Sequence, residues 1–201
     1  MGKMNLLKAN YEGKVGQTVG AKWKNLSTLR TFTKPSNPNT EAQQTVRSGF
    51  KGINAFVALF ADQIRYKSAL DTAGMSVRNA IVKLNKDMVS GNTFNKANLA
   101  ISKGGLQKVA GEAATATSGK ITVTWSAPTA TNFTEDAKLI AVLVQEASGM
   151  VEVIEAPATA LTAAGTLTFE AGSVDCYVYF LDKRGSNKIA SLSDYIAVTV
   201  A

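Results

Sequence analysis

Histidine is absent from the 201 residues, and Cys176 is the only cysteine. The chain therefore lacks the usual general base near neutral pH and the commonest metal ligand. One cysteine allows no intrachain disulfide and no cysteine-based metal site. His-dependent triads, zinc deaminase sites and H-E-x-x-H sites are excluded. Serine, lysine and carboxylate chemistry remains, but no nucleophile–base spacing stands out. Glu135 and Asp136 are adjacent, and paired carboxylates serve acid–base or metal chemistry. No third oxygen ligand stands at a useful spacing, so the pair reads as a solubilising loop. "GKVGQTVG" (13–20) invites a phosphate-loop reading. It fails because Gly16 and Gly20 are too close and Ala21 stands where the lysine belongs. Trp125, Tyr177 and Tyr179 are the residue types of a carbohydrate platform, yet Trp125 reads better as core. Cys176 reads as a buried, inert thiol. The expectation is a protein that is not an enzyme and uses no cofactor or metal.

Binding residues are more numerous. Residues 1–108 hold 17 Lys/Arg against 5 Asp/Glu, whereas residues 109–201 hold 5 against 10. The first part is basic and the second acidic. Lys14, Lys22, Lys24, Arg30 and Lys34 lie in the first forty residues with Tyr11, Trp23 and Phe32. Such a set can neutralise phosphates and stack on bases. Nothing supplies base-edge readout, so nucleic-acid binding of this kind is nonspecific. The other reading is a solvated face, or one that pairs with acidic patches on a neighbouring copy, and the acidic second part favours it. Arg47, Lys51 and Arg65 lie on one flank of a helix, with Asp62 among them. The candidate contact residues are thus Lys14, Lys22, Trp23, Lys24, Arg30, Phe32, Lys34, Arg47 and Lys51.

These residues need elements to hold them. Residues 1–39 read as an extended basic arm broken by glycines and by Pro35 and Pro38. "TVGAKW" and "STLRTFTK" each suit a short extended segment. The arm alone has too little apolar surface to offset its ordering entropy. Pro38 disfavours helix at Asn37. Thr40 then caps, with Gln43 three residues on and Glu41 near the positive end of the helix dipole. Val46, Phe50, Ile53, Val57, Phe60 and Ile64 mark one face of a helix reaching about Leu70. A second helix is expected from about Ala73 to Val89, ended by Gly91. Residues 40–105 form this helical segment. From Leu106 the period changes to two: Ile121/Val123/Trp125, Ile140/Val142/Val144, Val151/Val153, Leu167/Phe169, Val178/Phe180 and Ile196/Val198/Val200. Short strands at this spacing predict an antiparallel sandwich over 106–201. Tyr177 and Tyr179 share a face opposite Val178 and Phe180, so one pair must meet something besides the sandwich core. The fold class is α+β.

"ITVTWSAP" and "CYVYFLDKRGSNKIASLSDYIAVTV" resemble strands of a fibronectin-III or immunoglobulin-like domain. The whole chain resembles a family of Bacteroidetes and Bacteroidetes-phage proteins of no known activity. "GKVGQTVGAKWKN", "SNPNTEAQQTVR", "SKGGL" and "ITVTW", in that order, carry the likeness. The chain has Trp23-Lys24-Asn25 where the family usually shows Trp-Lys-Gly. The resemblance implies a part of a virion. The expected partners are other copies of the chain and other virion proteins, with nonspecific nucleic acid as the alternative. No apolar run is long enough for a bilayer, and the start lacks a signal-peptide pattern. The expected location is the virion, after synthesis in the bacterial cytoplasm.

Overall fold

The computed structural model describes residues 13–23, 26–34, 36–64, 70, 74–90, 93–130, 133–184 and 187–201. Tyr11, Lys24, Pro35, Arg65 and Gly91 lie outside the described residues. Two compact units divide the chain, Met1–Thr40 and Glu41–Ala201.

The first unit contains an antiparallel meander of three strands, β1 (Gly13–Val15), β2 (Thr18–Trp23) and β3 (Leu26–Thr31). "GKVGQTVG" forms its first hairpin, with Gly16-Gln17 as a two-residue loop between paired Val15 and Thr18. Gly16 has φ +59°, which a glycine adopts without steric cost. The extended arm is therefore a small sheet. Among those of its residues whose burial is described, only Gly20 is buried.

The second unit opens with α1 (Glu41–Phe60), which begins directly after Thr40. It ends ten residues before the expected Leu70, although Ala61 and Ile64 beyond it are still buried. Its buried residues start at Gly49, and Val46 is 53 % exposed. Phe56 joins the buried face beside Ile53, Val57 and Phe60. A Cβ added at Gly52 would lie 3.5 Å from the Phe94 ring. The second helix, α2 (Val77–Leu84), is shorter than expected at both ends. Ser76 caps its start by accepting from the Asn79 N–H at 3.2 Å. Asn85 ends it: its buried amide donates to the carbonyls of Ile81 and Ala100 and accepts from the Ala100 N–H. The hairpin β4 (Val89–Ser90) and β5 (Thr93–Phe94) follows, where helix and loop were expected.

The rest is an antiparallel sandwich. One sheet has the order β10–β7–β6, formed by β6 (Ala113–Thr117), β7 (Lys120–Thr124) and β10 (Thr162–Ala164). The other is built on β11 (Gly172–Arg184). On one side β11 pairs with β8 (Lys138–Gln145), and β8 with β9 (Met150–Pro157). On its other side it pairs with β12 (Asn187–Ala190) and β13 (Asp194–Val200). Three strands facing this larger sheet make the α+β fold with an immunoglobulin/fibronectin-III-like sandwich. Leu167 and Phe169 are not a strand; they lie in the loop after β10, with Phe169 buried and Leu167 exposed.

The larger sheet is buried on both faces. Leu139, Ala141, Leu143, Cys176, Val178 and Phe180 point into the sandwich core with Ile121, Val123 and Trp125. Ile140, Val142, Val144, Tyr177, Tyr179 and Leu181 point the other way, against α1 and α2. A strand covered on both sides reads as a continuous apolar run, as "LIAVLV" does. The tyrosine pair thus meets the helical segment. The change of period at Leu106 falls inside one compact unit, because helices and sandwich share this sheet.

Candidate interaction surface

The meander brings three of the candidate contact residues together. Lys14 pairs with Val19, and Val19 with Arg30, so the three stand in one row across the strands. Phe32 follows β3, its N–H donating to the Gln17 carbonyl at 2.6 Å. Its ring is 43 % exposed. The Lys14 Nζ lies 3.6 Å from the ring centroid, a cation–π contact. Lys14, Val19, Arg30 and Phe32 line an open cavity of about 410 Å³ with Thr31 and Thr33. Lys34 is exposed two residues further on. Lys22 and Trp23 lie in β2, paired with Ser27 and Leu26. Arg47 and Lys51 belong to the second unit, where both are exposed on α1.

This face can attract an anion and cover a flat or apolar group. Among the described residues no group of three or more His, Cys, Asp or Glu is placed to hold a metal ion. Glu135 and Asp136 are exposed in the loop before β8. Trp125 is a core residue, 4 % exposed, and its indole N–H donates to the Ala158 carbonyl at 2.9 Å. With Tyr177 and Tyr179 buried too, no aromatic platform forms from these three.

A second polar cluster was not anticipated. Asp175 is buried in β11, where its carboxylate accepts from the Tyr195 hydroxyl at 2.8 Å and from Lys96 at 3.3 Å. Lys96 also pairs with Glu146 and lies 4.8 Å from the Phe56 ring centroid. Tyr177 donates its hydroxyl to the Lys96 carbonyl at 3.0 Å. Burial disfavours the Lys96 ammonium, but the hydrogen bonds and charges of Glu146 and Asp175 outweigh this and hold its pKa above the ordinary lysine value. The cluster is a clasp between the segment after β5 and the sheet. A lone aspartate among the apolar residues of "SVDCYVYF" was the available signal, because a buried carboxylate needs partners.

Burial pushes the Cys176 thiol up to about 12. Burial and the hydrogen bond to Asp175 push Tyr195 up to about 12. Tyr177 is also raised, by burial and then by the Asp175 charge. Below pH ~9 these groups are protonated in both folded and unfolded chains and do not alter stability. Above it the unfolded thiol ionises, ordinarily at 9.0, and then the unfolded phenols at 10.0, while the folded groups keep their protons. The unfolded chain binds fewer protons, so stability falls as pH rises from about 9 to about 12. Urea midpoints measured between pH 8 and 12 should fall accordingly. In Cys176→Ala the fall should begin about one pH unit later. A midpoint constant over this range contradicts the assignment.

No helix among the described residues is long and apolar enough to cross a membrane. The sequence matches the model of a family of unknown function, DUF6266, over residues 10–197. No curated protein matches the chain. Similar solved structures include a two-domain fibronectin type III segment from chicken tenascin, at 14 % identity and a TM-score of 0.36, covering 47 % of this chain and 50 % of that one. The chain thus spans half of that segment. The fn3 domain of the human collagen alpha-1(XX) chain is also 14 % identical, with a TM-score of 0.35, covering 48 % of this chain and 87 % of that domain.

Proposed function

The chain belongs to the DUF6266 family, and we propose that it is a non-enzymatic structural subunit of a virion, assembling through its N-terminal unit. The particle is that of a Bacteroidetes phage, and the subunit serves in its capsid, decoration layer or tail and connector. Its partners are other copies of itself and other virion proteins. It is made in the bacterial cytoplasm.

One observation carries this reading: among the described side chains of the N-terminal meander, no apolar one is buried. Of its described apolar side chains, Val19 and Leu29 are half-buried and Phe32 is exposed. A small sheet needs an apolar face packed on something to be stable. The second unit, by contrast, has two cores, one on each face of the larger sheet. A subunit that lends such a sheet to a neighbour gains order and interface together. Permanent interfaces of this kind bury ~2,000 Å² or more.

The test compares the full chain with residues 41–201 by sedimentation and thermal melting. The expected result is a shortened chain that melts cooperatively as a monomer, and a full chain that associates. A shortened chain that associates as the full chain does overturns the proposal.

The row of Lys14 and Arg30 beside the Phe32 ring favours a second reading, nonspecific nucleic-acid binding. It requires measurable binding to random-sequence DNA at low salt and a steep loss at moderate salt. No binding at low salt rules it out.

A further inference from the structure

Among the described residues, the basic face of the meander has no carboxylate partner. Lys14 contacts an aromatic ring, and neither Lys14 nor Arg30 has an ion pair among the described residues. No described residue of the N-terminal unit is acidic, since its one acid, Glu12, lies outside them. The sandwich shows the converse. Glu135 and Asp136 stand side by side and exposed, with no ion pair among the described residues. From Ser126 to Ala137 there is no Lys or Arg, and Lys138 beyond is engaged with Glu155 at 3.4 Å. Other acids are isolated or already in use: Asp175 and Glu146 hold Lys96, and Glu152 accepts from Thr166 and Leu167. Phe133, two positions before the pair, packs against Phe180 at 5.2 Å between ring centroids, which anchors the loop while the two charges stay exposed.

Resting on the assembly reading, we infer that the Lys14–Arg30–Phe32 face receives the Glu135–Asp136 loop of a second copy of the chain. Two cations beside an exposed ring meet two exposed carboxylates. The cavity beside them, about 410 Å³, has room for one or two side chains of that loop. The contact is heterologous: the donor surface and the receiving surface differ, so it propagates from copy to copy and suits a ring or a lattice. Exposed ion pairs contribute little each, whereas like charges brought together at an interface are strongly disfavoured. Charge reversal is therefore the sensitive probe.

The test uses the full chain in three forms: K14E/R30E, E135K/D136K, and all four changes together. All four positions involved are exposed strand or loop sites, so each variant should melt like the parent. Each double variant should associate at least tenfold more weakly, and the fourfold variant should recover association. Mixing the two double variants should give hetero-association that neither shows alone, which an intrachain contact cannot produce. Double variants that associate like the parent, or a fourfold variant that stays dissociated, overturn the inference. If those variants associate normally while residues 41–201 do not, the docking site is wrong and the assembly reading stands. If residues 41–201 associate normally as well, both fall.

Discussion

Gly104→Ala should destabilise the second unit by about 3 kcal/mol or more, lowering its melting temperature by roughly 6–12 °C. A Cβ at Gly104 would lie 1.9 Å from the Ala190 carbonyl oxygen and 2.8 Å from the carbonyl carbon. Both are backbone atoms, so no rotamer change relieves the clash. The strand must move instead, and that strand edge is tied down. Leu106 donates its N–H to the same Ala190 carbonyl at 3.2 Å. Ser102 donates its hydroxyl to the Ser191 carbonyl at 2.7 Å, and the Ile101 N–H donates to the Ser193 hydroxyl at 2.9 Å. Ser191 in turn exchanges bonds with Phe180 of β11. Moving Ala190 disturbs a seam in which Ser102, Ser191 and Ser193 are all buried. The neighbouring Gly105→Ala is the control. Nothing lies within 4 Å of its added Cβ, so its effect should stay within about 0.5 kcal/mol. Equal melting temperatures for the two variants would contradict this account of the seam.

Tyr177→Ala should cost about 4 kcal/mol, and Tyr177→Phe only about 1 kcal/mol. The ring is fully buried between helix and sheet. Its centroid lies 6.2 Å from that of Phe60, 6.4 Å from Phe56 and 5.4 Å from Tyr195. Truncation leaves a cavity on the face that joins α1 to β11. The conservative change keeps the ring and loses only the hydroxyl's bond to the Lys96 carbonyl, at 3.0 Å. Chemical denaturation of the three proteins measures both differences. A Phe variant as unstable as the Ala variant would mean that the hydroxyl, not the ring, holds the layers together.

Both positions stand where sequence reasoning had partial sight. The alternation of Tyr177/Tyr179 against Val178/Phe180 required two packed faces, and the structure has them. "SKGGL" was legible as part of the family likeness, but its function as a strap over residues 190–193 depends on a contact almost ninety positions away. The β6 strand was hidden because "AATAT" offers no contrast between large apolar and polar side chains; its alternation is only between half-buried and exposed. The helices were read too long because residues beyond them stay apolar and buried without staying helical, as at Ala61 and Ile64. Val46 fitted the helical period, yet the first turns of α1 bury nothing.

The candidate surface was legible as residue types, not as a place. Lys14 and Arg30 are sixteen positions apart, and only the register of three strands sets them in one row. Arg47 and Lys51 had the same composition and lie on another element. The Lys96–Asp175 clasp spans 79 positions, with one charged residue on each side and no motif to link them.

Assembly through the N-terminal unit requires that another molecule order its meander. Hydrogen exchange at the β2 and β3 amides, followed over a range of protein concentrations, tests it most directly. The account predicts fast exchange in dilute, dissociated chains and protection that rises as they associate. Slow exchange of those amides in a dissociated single chain would contradict it.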